Sequence, residues 1–122
     1  MKYGFIGLGT MGFPMCSNLL KAGYSCLVYD TQKEVVEKLV KLKAEGAKDI
    51  SDLAQKSEII FLSLPYGKVV EKVLNDILST ANSQIKIIID FSTISPNESV
   101  SFSENLKNKG IIYLDCPISG AL

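Results

Sequence analysis

The chain has 122 residues, 47% of them hydrophobic and 21% charged, which is typical of one soluble globular domain. Its 13 basic residues balance 13 acidic ones, so no positive excess indicates a nucleic-acid partner. The sequence contains no histidine, which excludes a histidine general base, a Ser-His-Asp triad and histidine metal ligands within this chain. We therefore predict no metal site and no nucleic-acid binding.

The cysteines and the N-terminal stretch predict a reduced, cytoplasmic chain. Cys16, Cys26 and Cys116 are odd in number and show no C-x-x-C spacing. The apolar N-terminal stretch is interrupted by glycines and by Pro14, unlike a signal peptide. No apolar run approaches the roughly 20 residues of a transmembrane helix, so no membrane partner is expected.

Short β-rich runs alternate with helical patterns along the chain. The strand candidates, several of them almost continuously apolar, are KYGFIG (2–7), SCLVYD (25–30), EIIFLSL (58–64), IKIIID (85–90) and IIYLD (111–115). Continuous apolar runs are typical of parallel strands covered on both faces. With one more short strand, of weaker signal, near residues 47–49, the pattern predicts a doubly wound α/β Rossmann sheet. Its strand order should be 3-2-1-4-5-6, with helices on both faces.

Capping residues mark the predicted helix ends. Thr31 and Glu34 have the spacing of a capping box, as do Ser95 and Glu98, and Ser51 is expected to cap a short helix that runs through position 56. Glycines that should end helices just before strands are Gly23, Gly46 and Gly110.

A glycine-rich loop follows the first predicted strand in the pattern G-x-G-x-x-G. Gly7 would permit the tight turn into the first helix, Gly9 would let the backbone approach a pyrophosphate, and Gly12 would allow close helix–strand packing. Free N–H groups at the helix start favour phosphate charge. The cofactor-binding residues predicted from this loop are Gly7, Leu8, Gly9, Thr10, Met11 and Gly12.

Asp30 ends the second predicted strand, where an acid can accept hydrogen bonds from both adenosine ribose hydroxyls. Its charge would repel a 2′-phosphate and favours NAD over NADP, although Lys33 nearby weakens that preference. Alternatively, Asp30 is a helix cap or turn residue beside Thr31. Because loop, strand and acid stand in register, we predict a dinucleotide site.

Four motifs in order extend the pattern over nearly the whole chain: GFIGLGTMGFPM (4–15), SLP (63–65), DFSTISP (90–96) and DCPISGA (115–121). Together they resemble the β-hydroxyacid dehydrogenase family, which includes 3-hydroxyisobutyrate dehydrogenase and is related to 6-phosphogluconate dehydrogenase. The resemblance implies hydride transfer between a nicotinamide cofactor and a small hydroxy acid.

The resemblance also implies roles for single residues. Leu64 and Pro65 would line the cofactor pocket, and Thr93 would contact the nicotinamide-side ribose or ring. The substrate carboxylate would be held by Ser119, Gly120 and Ala121. Thr93 and the Ser119–Gly120 pair could instead be ordinary turn residues. Cys116, Tyr66 and Tyr113 are interpreted as packing residues rather than catalysts.

Two departures from the family's pattern limit the prediction. Ala121 stands where the family usually has a second glycine, which makes a left-handed backbone costlier there. The family's catalytic lysine lies beyond Leu122, with the helical domain that closes the cleft and builds an oligomer. The chain stops directly after its last predicted strand, so we expect a part of a longer protein that binds cofactor with little or no turnover.

Two other classes of function remain as alternatives. One is a stand-alone nucleotide-binding or redox-sensing module. The other is a methyltransferase that uses S-adenosylmethionine, for which Asp30 would also suit the ribose, although the later motifs do not resemble that class.

Overall fold

The computed structural model describes residues 1–116, which form six strands and five helices. The strands are β1 (Lys2–Ile6), β2 (Ser25–Tyr29), β3 (Glu45–Gly46), β4 (Ile59–Leu62), β5 (Ile87–Asp90) and β6 (Ile112–Asp115). The helices are α1 (Gly12–Lys21), α2 (Lys33–Val40), α3 (Ile50–Lys56), α4 (Gly67–Leu78) and α5 (Pro96–Lys107).

The strands make one sheet in the order β3-β2-β1-β4-β5-β6, and every neighbouring pair is parallel. The predicted fold class and strand order are therefore confirmed. β1 lies in the middle and pairs with β2 on one side and β4 on the other. The chain thus reverses its direction of travel across the sheet beside β1, and a crevice opens above such a switch point.

Helices cover both faces of the sheet, as predicted. Successive residues of a strand point to opposite faces, so Ile6 packs with α3, α4 and α5, whereas Phe5 packs with α1 and α2. On the second face, α1 and α2 cover only the half of the sheet nearest β1 and β2. Ile112 and Leu114 of β6 are accordingly 57% and 45% exposed.

Some of the predicted helix caps are wrong. The box at Ser95 and Glu98 is present, with Pro96 as the first helical residue. α2 instead begins after Gln32 without a side-chain cap, so the box at Thr31 and Glu34 does not form. Its place is taken by Asp30, whose carboxylate accepts the N–H of Gln32 at 2.8 Å.

The cap of α3 and one helix-ending glycine also differ from expectation. Asp49, not Ser51, caps α3 by accepting the N–H of Asp52. Gly46 does not end a helix but lies in β3, which is Glu45–Gly46 rather than 47–49. Lys43 turns the chain after α2 with φ 81°. The glycines after α1 and α5 are confirmed, with left-handed φ values of 92° at Gly23 and 77° at Gly110.

Among the helices of residues 1–116, none combines the length and the apolar character that a membrane span requires.

Candidate dinucleotide site

The loop between β1 and α1 has the backbone geometry that the glycine pattern predicts. Gly7 has φ +79°, and a Cβ there would collide with the carbonyl oxygen of Ser63. A Cβ on Gly12 would lie 2.7 Å from the carbonyl oxygen of Gly7. A Cβ on Gly9, in contrast, would meet no atom within 4 Å. Gly7 and Gly12 are therefore required by packing, while Gly9 leaves open space where a ligand can approach.

Hydrogen bonds fix this loop to both neighbouring strands. The N–H of Gly7 donates to the carbonyl of Tyr29 at 3.0 Å, and the N–H of Ser63 donates to that of Ile6 at 3.2 Å. Within residues 1–116, the N–H groups of Gly9, Thr10 and Met11 have no backbone acceptor. These donors precede a ten-residue helix, whose dipole adds partial positive charge at the same place. The loop therefore offers a rigid set of donors to an anion.

Asp30 has the turn role that the sequence left open, and its place beside the glycine loop is compatible with the ribose role, which stays a prediction. Its Oδ2 accepts the N–H of Leu8 at 2.8 Å, and its Oδ1 accepts the N–H of Gln32 at 2.8 Å. The carboxylate thus closes the turn after β2 and ties it to the glycine loop. Each carboxylate oxygen can accept more than one hydrogen bond, so both remain able to accept ribose hydroxyls.

These elements border one cleft of about 970 Å³ above the switch point. Eight of the predicted cofactor residues line it, namely Gly7, Leu8, Gly9, Thr10, Met11, Asp30, Leu64 and Pro65. The opposite wall, which the sequence interpretation missed, is formed by Ile50 and by Val69, Lys72, Val73 and Asp76 of α4. Val69 and Val73 share the apolar face of α4 with residues of the buried core, and spacing alone does not distinguish a cleft wall from a core face.

Other predicted residues lie elsewhere. Gly12 backs the loop instead of lining the cleft, because it packs against Gly7. Thr93 is exposed after β5 and is not among the lining residues, so its contact with the cofactor stays a prediction. The predicted substrate residues Ser119, Gly120 and Ala121 lie outside the described residues.

A buried hydrogen-bond network, also missed, joins the ends of β4 and β5 to Tyr113 within β6. The N–H of Leu64 donates to Ser92 Oγ at 2.8 Å, and the N–H of Ser92 donates to Asp90 Oδ1 at 2.8 Å. The hydroxyl of Tyr113 donates to Asp90 Oδ2 at 2.6 Å. Burial raises the pKa of Asp90, against hydrogen bonds from Ser92 and Tyr113 that favour the carboxylate. Burial and the bond to Asp90 raise the pKa of Tyr113.

Of the three residues interpreted as packing residues, one is buried and two are exposed. Tyr113 is buried and packs edge-on against Phe102, as predicted. Tyr66 is 58% exposed at the start of α4, and Cys116 is exposed after β6. The packing interpretation is therefore wrong for Tyr66 and Cys116, because a single sequence does not show which side of a loop faces the core.

The residues present suit an NAD molecule. Gly9 leaves room for a phosphate that a side chain would occupy, free N–H groups lie beside it, and Asp30 follows β2 at the ribose position. A bound NAD would have its adenosine half near the end of β2, beside Asp30. Its nicotinamide half would be held on the side of β4 and β5, where Leu64 and Pro65 line the cleft.

Comparison with known proteins agrees with this geometry. The family profile described as the NAD binding domain of 6-phosphogluconate dehydrogenase matches residues 2–122. Similar curated proteins include 2-(hydroxymethyl)glutarate dehydrogenase from Eubacterium barkeri, 38% identical over 98% of this chain. A second is 3-hydroxyisobutyrate dehydrogenase from Pseudomonas aeruginosa, 38% identical over 97% of this chain.

A solved structure shows the same fold. It is 3-hydroxyisobutyrate dehydrogenase from Mycobacterium tuberculosis with L-serine, which superposes with a TM-score of 0.87 at 27% identity. The match covers 98% of this chain and 40% of that one. The chain likewise spans 40% of the length of the two curated relatives. From its sequence and its geometry, the chain belongs to the family of the NAD-binding domain of 6-phosphogluconate dehydrogenase.

Proposed function

We propose that the complete protein is an NAD-dependent dehydrogenase or reductase that transfers a hydride between the nicotinamide ring and a small 3-hydroxy acid. The observation that carries the proposal is the glycine loop joined by Asp30 to the end of β2, above the switch point of the sheet. The names of the hydroxyacid dehydrogenases among its relatives support the substrate class.

The residues of this chain would bind and orient the cofactor. The N–H groups of Gly9, Thr10 and Met11 would donate to the pyrophosphate, and Asp30 would accept the ribose hydroxyls. Leu64 and Pro65 would form the wall beside the nicotinamide half and exclude water from it. When bound, NAD supplies the ring carbon that accepts or donates the hydride.

The substrate would lie beside that ring, at the ends of β5 and β6. Thr93 is proposed to contact the nicotinamide-side ribose or ring. Ser119, Gly120 and Ala121 are proposed to hold the substrate carboxylate with a hydroxyl and backbone N–H groups, which suit a carboxylate. This part of the proposal rests on the resemblance of the motifs DFSTISP and DCPISGA.

Asp30 makes NAD the expected cofactor, with NADP as the weaker ligand. A 2′-phosphate would stand next to the carboxylate, and charges of the same sign at that distance repel. Lys38 also borders the cleft, and Lys33 is exposed at the start of α2. These lysines would reduce the discrimination between the two cofactors without reversing it.

The 122-residue chain is proposed to bind NADH with little or no turnover, because no lysine in it matches the family's catalytic motif. The proton for the substrate oxygen would come from that lysine, on the helical domain that also builds a homo-oligomer in the family. A cytoplasmic location is part of the proposal, supported by the three cysteines, all free.

Isothermal titration of the chain with NADH, NADPH and S-adenosylmethionine tests the proposal. We expect saturable binding of NADH, weaker binding of NADPH and none of S-adenosylmethionine. Binding of S-adenosylmethionine alone would move the chain to the methyltransferase class. In parallel, NADH formation is followed with 3-hydroxyisobutyrate and related hydroxy acids. Rapid turnover by this chain would contradict the assignment of the proton-transfer step to a residue outside it.

A further inference from the structure

The network that joins the ends of β4 and β5 to Tyr113 of β6 centres on a carboxylate that is completely buried. Asp90 is 0% exposed, and within residues 1–116 it forms no ion pair with a lysine. Its oxygens instead accept hydrogen bonds from the N–H of Ser92 and the hydroxyl of Tyr113. A buried carboxylate without a cation is unfavourable unless such donors hold it, so its position is tightly fixed by them.

The same network reaches the cleft. Ser92 follows Asp90 by two residues, and its Oγ accepts the N–H of Leu64. Leu64 and Pro65 line the cleft, whereas Asp90, Ser92 and Tyr113 do not. The buried side chains can therefore affect a ligand only through the segment that they hold, residues 64–65.

We propose that Asp90, with Ser92 and Tyr113, is a positioning residue that holds residues 64–65 against the nicotinamide half of the bound cofactor. The inference rests on the proposed function, since it needs a dinucleotide in the cleft. With Asp30 as the ribose acceptor, adenosine would lie near the end of β2, and the far half of the cofactor would meet the β4–β5 side of the cleft.

This role differs from a purely stabilising one in a measurable way. A general loss of stability would weaken the binding of every ligand of the cleft to the same extent. Displacement of Leu64 would weaken the binding only of those ligands that carry a nicotinamide ring. NADH and ADP-ribose share the adenosine, the pyrophosphate and the second ribose, and they differ in the nicotinamide ring.

The chain offers a matched pair of serines for this test. Ser92 and Ser57 are 2% and 0% exposed, but Ser92 Oγ accepts the N–H of Leu64, whereas Ser57 Oγ has no partner within the described residues. Ser92→Ala removes the connection to the cleft wall. Ser57→Ala removes an equally buried hydroxyl that has no hydrogen-bond partner among residues 1–116.

Dissociation constants of both ligands are measured by titration for the wild-type chain, Ser92→Ala, Ser57→Ala and Tyr113→Phe. For Ser92→Ala and Tyr113→Phe we expect NADH affinity to fall about 5- to 10-fold, the effect of losing one hydrogen bond. ADP-ribose affinity should not change, and Ser57→Ala should bind both ligands as the wild type does. Amide hydrogen exchange should show faster exchange at Leu64 in both network variants.

Three outcomes would overturn the proposal. The first is an equal loss of NADH and ADP-ribose affinity in Ser92→Ala, and the second is no loss of either. The third is a wild-type chain that binds NADH no more tightly than ADP-ribose, because the nicotinamide then has no contact to position. A wild-type chain that binds neither ligand would overturn the proposed function itself.

Discussion

The two sides of the cleft hold their shape by different means. On the β1–β2 side, the loop is defined mainly by backbone conformation and by glycines whose missing side chains allow close contacts, and the carboxylate of Asp30 accepts the N–H of Leu8. On the β4–β5 side, the wall is held by side-chain hydrogen bonds from Asp90, Ser92 and Tyr113. Changes on the first side should act through steric conflict and charge, and changes on the second through lost hydrogen bonds. Substitutions on the β1–β2 side should therefore have larger effects than those on the β4–β5 side.

Gly7→Ala is expected to have the largest effect. It combines a left-handed backbone with a collision at the carbonyl of Ser63, so the free energy of unfolding should fall by about 3 kcal/mol or more. Urea unfolding measures the change. Gly23→Ala is the matched control, since Gly23 has φ +92° but open space around its Cβ, and it should cost only about 1–2 kcal/mol. Equal losses in the two variants would show that Ser63 moves aside.

Asp30→Ala tests the charge on the β1–β2 side. Loss of charge-assisted hydrogen bonds to the ribose should weaken NADH binding by about 2 kcal/mol, or roughly 30-fold in affinity. The affinity for NADPH should fall less, so the ratio of NADH affinity to NADPH affinity should decrease. Glu58→Ala provides the control, because Glu58 precedes β4 at the opposite end of the strands from the cleft and pairs with Lys86 at 3.1 Å, so its loss should cost no more than about 1 kcal/mol of stability without changing NADH affinity. An unchanged ratio of NADH to NADPH affinity would count against Asp30 as the discriminating residue.

Gly9→Ala separates binding from folding. No atom lies within 4 Å of the added methyl group, so stability should change by no more than about 0.5 kcal/mol. The methyl group would occupy the space proposed for the pyrophosphate, and NADH affinity should fall about 10-fold, or about 1.4 kcal/mol. Titration and urea unfolding on the same sample measure both quantities. Retained affinity would mean that the phosphates do not approach Gly9.

The smallest effect is expected on the β4–β5 side, in the pH dependence of stability. Burial raises the native pKa of Asp90 above its ordinary value of 3.8, so the native state binds this proton more tightly than the unfolded chain does. Asp90 therefore stabilises the native state at a pH below its ordinary pKa, and this contribution is lost as the pH rises through the native pKa. Tyr113 donates to the carboxylate, while the charge of Asp115 disfavours it.

Asp90→Asn should remove this contribution. As pH falls from about 7 to about 4.5, the wild type should gain stability relative to the variant, as measured by urea unfolding. Parallel curves for the two proteins would show that Asp90 has the same pKa in the native and unfolded states.

The β1–β2 side of the cleft was the more predictable from sequence, for a physical reason. Gly7, Gly9, Gly12 and Asp30 form one spacing pattern, a glycine loop after the first strand and an acid at the end of the second, because a phosphate loop and a ribose-binding acid must stand at fixed places in this fold. The strand order also followed from short apolar runs alternating with helices. The bond from Leu64 to Ser92 spans 28 positions and that from Tyr113 to Asp90 spans 23. The bond from Leu8 to Asp30 spans a comparable 22 positions, so the difference lies in the residue types: a glycine pattern marks the first side, and no spacing pattern marks the network of the second.

The misplaced caps have a related cause. Thr31 and Glu34 have the right spacing for a capping box, but Asp30 accepts the N–H of Gln32, and the helix starts one residue later than that box requires. Competing local hydrogen bonds of similar strength decide such boundaries, and residue types alone do not rank them.

The central place of β1 has a consequence for the order in which the protein assembles. β1 is the first strand along the chain, yet its second edge pairs with β4, more than fifty positions later. During synthesis that edge stays open until residues 59–62 have emerged, and pairings of long sequence separation form slowly. The glycine loop reaches its final shape only then, because Ser63 holds it from the β4 side. A nucleotide that binds the loop would therefore favour chains in which both halves of the sheet have joined.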